Sequence, residues 1–228
     1  MKLARKNSLL IKIGYAIYVI ALLVLSIFVF GVGLTWFLQT LGLSPTISGT
    51  LSNQMSIVIY GLLLFHFDKE NILNVLKNKL SFKILWDGVK ITIIVLIINV
   101  IISTLLMQSS GLPEQTKSVI EKNSFLMTFF LPVIVAPLAE ELTFRAGFKF
   151  MLIDKAECKR VSYIILSSLI FVFLHWSPGI TGLAHMLLTG LIGITYNIIY
   201  LKTDNIYISI ISHMLYNGLV ITVASFLV

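Results

Sequence analysis

Residues 125–145 read FLMTFFLPVIVAPLAEELTFR, an apolar run that ends in Glu140, Glu141 and Arg145. Charged groups are costly in hydrocarbon, so three of them at the end of such a run mark a functional site by default. Pro132 and Pro137 lie inside the same run and remove backbone donors just before Glu140, which predicts a kinked helix. The surrounding chain repeats the pattern of long apolar runs. Over 228 residues it is 57% hydrophobic and 12% charged, with a mean hydropathy of +0.97. These values describe an all-α polytopic membrane protein with a single transmembrane domain over 1–228.

Working outward, apolar runs fall at about 13–38, 48–67, 91–107, 124–152, 161–176, 180–200 and from 206 onward. Each is near the roughly 20 residues that a helix needs to cross a bilayer. The expected fold is a bundle of about seven transmembrane helices, and a split or re-entrant helix would raise the count to eight. Between the second and third runs, Ile72, Leu76, Leu80 and Ile84 recur every four residues against Lys69, Lys77 and Lys83. That spacing predicts a short amphipathic interfacial helix. With the N-terminus in the cytoplasm, fourteen of the seventeen Lys and Arg residues fall on the cytoplasmic side. Lys117 and Lys122 fall outside, and Arg145 stays in the membrane. The bias places the protein in the cell membrane with its C-terminus outside.

The net charge of +7 is spread over loops beside the spans and forms no basic patch interleaved with aromatics, which argues against nucleic acid as a partner. A lone cysteine, Cys158, excludes an intrachain disulfide and a thiolate cluster.

Further polar groups lie in the second half: His175 closes the fifth run, and His213 and Asn217 lie in the seventh. Glu140 and His175 are equally far in sequence from the loop near 157 and 158, so an antiparallel hairpin sets them at similar depth. His213 and Asn217, four apart, share a helix face, as do Phe171 and His175. Glu141 and Arg145 are also four apart with the acid first, the favoured order for an ion pair. Glu140 is turned about 100° from Glu141. Glu141 and Arg145 therefore read as a mutually neutralising brace, with Glu140 free to act.

Glu140 and His175 as base and partner, with His213 and Asn217 as hydrogen-bond donors, would suit peptide hydrolysis by an activated water. These residues fix no cofactor. The alternative set Glu140, His175 and His213 suits one catalytic zinc ion with water in the fourth position. The bland readings are a structural buried acid for Glu140, an interfacial histidine for His175, and interhelical packing for His213 and Asn217. His185, without a motif partner, reads as packing or lumen-lining.

These residues resemble the motifs of the CAAX protease and bacteriocin-processing family of intramembrane endopeptidases, also called the Abi or type II CAAX prenyl endopeptidase family. Glu-Glu-x-x-x-Arg is present as Glu140, Glu141 and Arg145, Phe-x-x-x-His as Phe171 and His175, and His-x-x-x-Asn as His213 and Asn217. The resemblance covers about 124–228, the expected protease core, and its composition is closer to the bacterial branch. It implies an endopeptidase acting on a peptide or membrane-protein substrate, with a site open to the cytoplasm. It also implies that Glu140 and His175 activate water and that His213 and Asn217 stabilise the oxyanion. Precursor-peptide processing, bacteriocin maturation and self-immunity follow as expected roles. The alternatives are a non-catalytic scaffold or immunity protein binding an envelope partner, and a small proton-coupled transporter.

Overall fold

A computed structural model of the chain describes residues 21, 24, 25, 29, 31–106, 126–155, 159–175 and 179–226. The described residues are helical and contain no strand. Helix α1, Gly33–Thr40, closes on Gly42, whose φ of +88° suits glycine. The Gly42 amide bonds to the Gln39 carbonyl and the Leu43 amide to that of Leu38, so the orphan carbonyls of the last turn are satisfied. Helix α2, Pro45–Leu76, starts at Ser44, whose hydroxyl accepts from the Ile47 amide, with Pro45 in the first turn where no donor is needed.

Helix α2 runs unbroken to Leu76, and α3, Phe82–Leu106, starts after a short turn capped by Ser81. The expected interfacial helix is therefore absent. Ile72 and Leu76 end α2, Leu80 is in the turn and Ile84 begins α3. The four-residue spacing ran across a break in the helix. The turn is fixed from elsewhere: Asn78 donates to the Asp204 carbonyl at 2.6 Å, Asn205 donates to the Lys79 carbonyl at 3.4 Å, and the Tyr207 hydroxyl bonds to the Leu76 carbonyl at 2.8 Å.

Four segments then follow in series, Leu126–Val135, Ala136–Glu141, Leu142–Gly147 and Phe150–Lys155, here together called α4. The second is α-helical and the others are π-helical. Helices α5, Arg160–Leu174, α6, Gly179–Thr203, and α7, Ile206–Ser225, complete the fold. Asp204 turns the chain between the last two with φ of +49°, and the Asn205 side chain accepts from the Tyr207 amide.

Among the described residues, three stretches are long and apolar enough to cross a membrane: Phe82–Ile102, His185–Thr203 and Ile206–Val223. Helix α5 is apolar but shorter. The expected first span lies mostly outside the described residues, as do Cys158, Lys117 and Lys122. Polar side chains are buried inside the bundle beside an apolar and aromatic core, and the outer faces are apolar. Ile93, Ile94, Ile97 and Val100 on α3 and Ile165, Leu169 and Phe173 on α5 point outward, while Ser167, Asn197, Ser209 and Ser212 are buried. Helix α5 packs along α6 and α3 along α7, with α4 held against α2 and α7. Small residues set these approaches. A Cβ on Gly88 of α3 would lie 3.0 Å from the Ile211 side chain of α7.

Candidate active site

Glu140 and Glu141 end the α-helical stretch of α4, and Arg145 lies in the π-helical turn that follows. A π turn is wide and uncommon, and it often occurs at functional sites. Helix α5 braces this one from outside α4. The Ser167 hydroxyl donates to the Phe144 carbonyl at 2.6 Å, and the Tyr163 hydroxyl to the Arg145 carbonyl at 3.1 Å. Asn197 of α6 donates in turn to Ser168 at 3.0 Å. On the N-terminal side, Pro137 has no N–H to return to the preceding turn. The Pro132 carbonyl, five residues back and in register with a π turn, accepts instead from the Asn217 amide at 2.8 Å.

The acids point to different partners. Glu141 and Arg145 are both fully buried, with Nε 3.0 Å from Oε2. The Arg145 guanidinium carbon lies 4.7 Å from the Phe171 ring centroid and 5.7 Å from that of Tyr196. Neither Nη atom has a hydrogen-bond partner among the described residues. The other Glu141 oxygen lies 2.9 Å from Nδ1 of His213. One carboxylate therefore neutralises the arginine and orients a histidine.

Glu140 is 5% exposed and faces two imidazoles. Its Oε1 lies 3.8 Å from Nε2 of His175, and its Oε2 lies 3.8 Å from Nε2 of His213. The Nδ1 of His175 is 2.8 Å from the Phe171 carbonyl, which can only accept, so that nitrogen carries the proton. The Nδ1 of His213 likewise donates to the Glu141 carboxylate. In neutral rings both Nε2 atoms are then bare lone pairs directed at Glu140. A separation of 3.8 Å is too long for a direct hydrogen bond and suits a bridging water.

The zinc alternative would use the same Glu140, His175 and His213 atoms. Tetrahedral zinc with bonds near 2.1 Å sets its ligand atoms about 3.4 Å apart, closer than the 3.8 Å found here. Among the described residues no group of three His, Cys, Asp or Glu is placed to hold a metal ion.

The structure thus brings Glu140, Glu141, Arg145, His175 and His213 together. Asn217 is held one helix turn from His213, with one amide hydrogen engaged by Pro132. Sequence spacing did not single out Tyr163, Ser167, Tyr196 and Asn197. The available signal was that they are polar positions within apolar runs.

Residues 122–219, which contain all three motifs, match the profile of the family described as type II CAAX prenyl endopeptidase Rce1-like. This segment is similar to Rce1-like domains. The match is to a protease family, and three helices among the described residues are long and apolar enough to cross a membrane. Neither the curated proteins nor the solved structures give a significant match. In the matched segment the buried acids, both motif histidines and the asparagine come from α4, α5 and α7, while α6 supplies the Tyr196 ring beneath Arg145 and beside His213.

Proposed function

We propose that the protein is an intramembrane endopeptidase in which Glu140 and His175 activate a water for attack on a scissile peptide carbonyl. The observation that carries this reading is the pair of 3.8 Å gaps between the oxygens of Glu140 and two imidazole nitrogens. A water held there can give one hydrogen to Glu140 and the other to His175. As its oxygen bonds to the carbonyl carbon, Glu140 accepts the proton. That proton then passes to the amide nitrogen as the C–N bond breaks.

The developing oxyanion needs donors. A doubly protonated His213 keeps Nδ1–H on Glu141 and offers Nε2–H, and Asn217 has a second amide hydrogen beyond the one on Pro132. Both are assigned to the oxyanion. His213 lies seven residues into α7, about 10 Å from the end carrying Lys77, Lys79, Lys149 and Lys202. We assign that basic end to the cytoplasm, with seven crossings and the C-terminus outside. Substrates are peptides or membrane proteins, with a prenylated C-terminal peptide as the first probe and precursor-peptide or bacteriocin processing as the bacterial form of the role.

The test uses purified protein in liposomes and a quenched fluorescent peptide ending in a prenylated Cys-aliphatic-aliphatic-X sequence. Cleavage should be lost in Glu140→Ala and His213→Ala while both variants insert and fold. A cellular phenotype retained by both variants would replace proteolysis with the scaffold reading. Mass spectrometry of peptides released in cells with and without the protein would identify the natural substrate.

A further inference from the structure

Glu140, Glu141, Arg145 and His213 are all buried, whereas His175 keeps a side chain 26% exposed. Among these groups His175 forms the open wall, so a substrate reaches Glu140 past it. His185 stands at the same place. Its ring centroid is 6.4 Å from that of His175, with the planes at 53°, and the residue is exposed.

Its position on α6 shows what that exposure faces. Leu188, Thr189, Ile192 and Tyr196, at three, four, seven and eleven residues beyond it, are buried. His185 therefore lies on the bundle-facing side of α6. Exposure on that side opens toward the site, as expected for a polar residue within an apolar span. Two glycines allow α6 to lie this close to α5. A Cβ on Gly190 would be 3.2 Å from Val172, and one on Gly193 would be 3.4 Å from Ser168.

We propose that His185 binds the backbone of the substrate peptide at the mouth of the site, an inference that rests on the proteolysis reading above. An imidazole offers one N–H and one bare nitrogen, the complement of a peptide group's carbonyl and N–H. The 6.4 Å between the two rings matches two residues of extended peptide at about 3.3 Å each. With the scissile bond at His175, His185 meets the peptide group two residues away.

The experiment compares wild type, His185→Ala and His185→Gln in liposomes on the prenylated peptide probe, with binding of the same probe measured in a Glu140→Gln background. His185→Ala should raise KM about tenfold with kcat within about twofold, the loss of roughly one hydrogen bond. His185→Gln, which keeps a donor and an acceptor, should recover most of the loss. In the Glu140→Gln background His185→Ala should weaken binding about tenfold. N-methylation of the probe's amide two residues from the cleavage point, tried on each side, should reproduce the defect on one side. Glu140→Gln abolishing cleavage while His185→Ala leaves KM and binding unchanged overturns this inference alone, as does a His185→Gln variant no better than His185→Ala. A wild-type protein that neither binds nor cuts the probe removes both.

Discussion

Neutralising one half of the buried ion pair should be among the costliest single changes in this protein. Glu141 and Arg145 are both fully buried and 3.0 Å apart. The guanidinium otherwise rests on two aromatic faces, with no hydrogen-bond partner for its Nη atoms among the described residues. Glu141→Gln keeps the shape and an acceptor for His213 but strips the compensating charge. Removing one partner of a buried pair costs about 3–5 kcal/mol, because the other charge is left buried and unpaired. For a chain of this size that corresponds to roughly 6–20 °C in unfolding temperature. Glu141→Gln with Arg145→Met removes both charges at similar volume, so the double variant should return to within about 2 kcal/mol of wild type. The assay is thermal unfolding in detergent, followed by tryptophan fluorescence. A Glu141→Gln protein that unfolds within about 2 °C of wild type, or a double variant whose loss equals the sum of the single ones, would refute the pairing argument.

Asn217→Ala should cost about 1–3 kcal/mol by leaving the Pro132 carbonyl unpaired, and Pro137→Ala, which restores a backbone donor, should reduce that cost when the two are combined; unfolding midpoints of the four proteins read this directly. Peptide cleavage should survive a chelator and be insensitive to added zinc, since the Glu140 and histidine atoms stand farther apart than zinc ligands; a rate that falls on chelation and returns with metal would contradict the water-only site. Gly88→Val should destabilise the fold by about 1–3 kcal/mol through overpacking against Ile211, whereas Gly49→Ala, where an added Cβ meets nothing within 4 Å, should leave the unfolding temperature near that of wild type.

The residues differ in how far their placement was legible in sequence. Glu140 and His175 could be set at similar depth because each is equally distant from the α4–α5 connection, a purely geometric property of a hairpin, and they lie 3.8 Å apart. The interfacial helix was misread because a four-residue period reports spacing and not backbone hydrogen bonding. Asn78 and Asn205 secure the break at Lys77–Ser81 through partners more than a hundred residues away. The π turns of α4 were invisible for a related reason. The hydroxyls of Tyr163 and Ser167 and the amide of Asn217 bind their carbonyls from other helices, and nothing within 126–155 encodes those donors. The second duty of Glu141 follows the same logic. Its pairing with Arg145 is local and readable at a spacing of four, but its hold on His213 spans 72 positions. Local spacing therefore reveals the charged brace, and long-range polar bonds decide which nitrogen of His213 faces Glu140. That tautomer sets whether the ring can accept from a water or must first be doubly protonated to donate to an oxyanion. The chemistry open to Glu140 is thus controlled by a neighbouring acid whose own charge is balanced on the same helix.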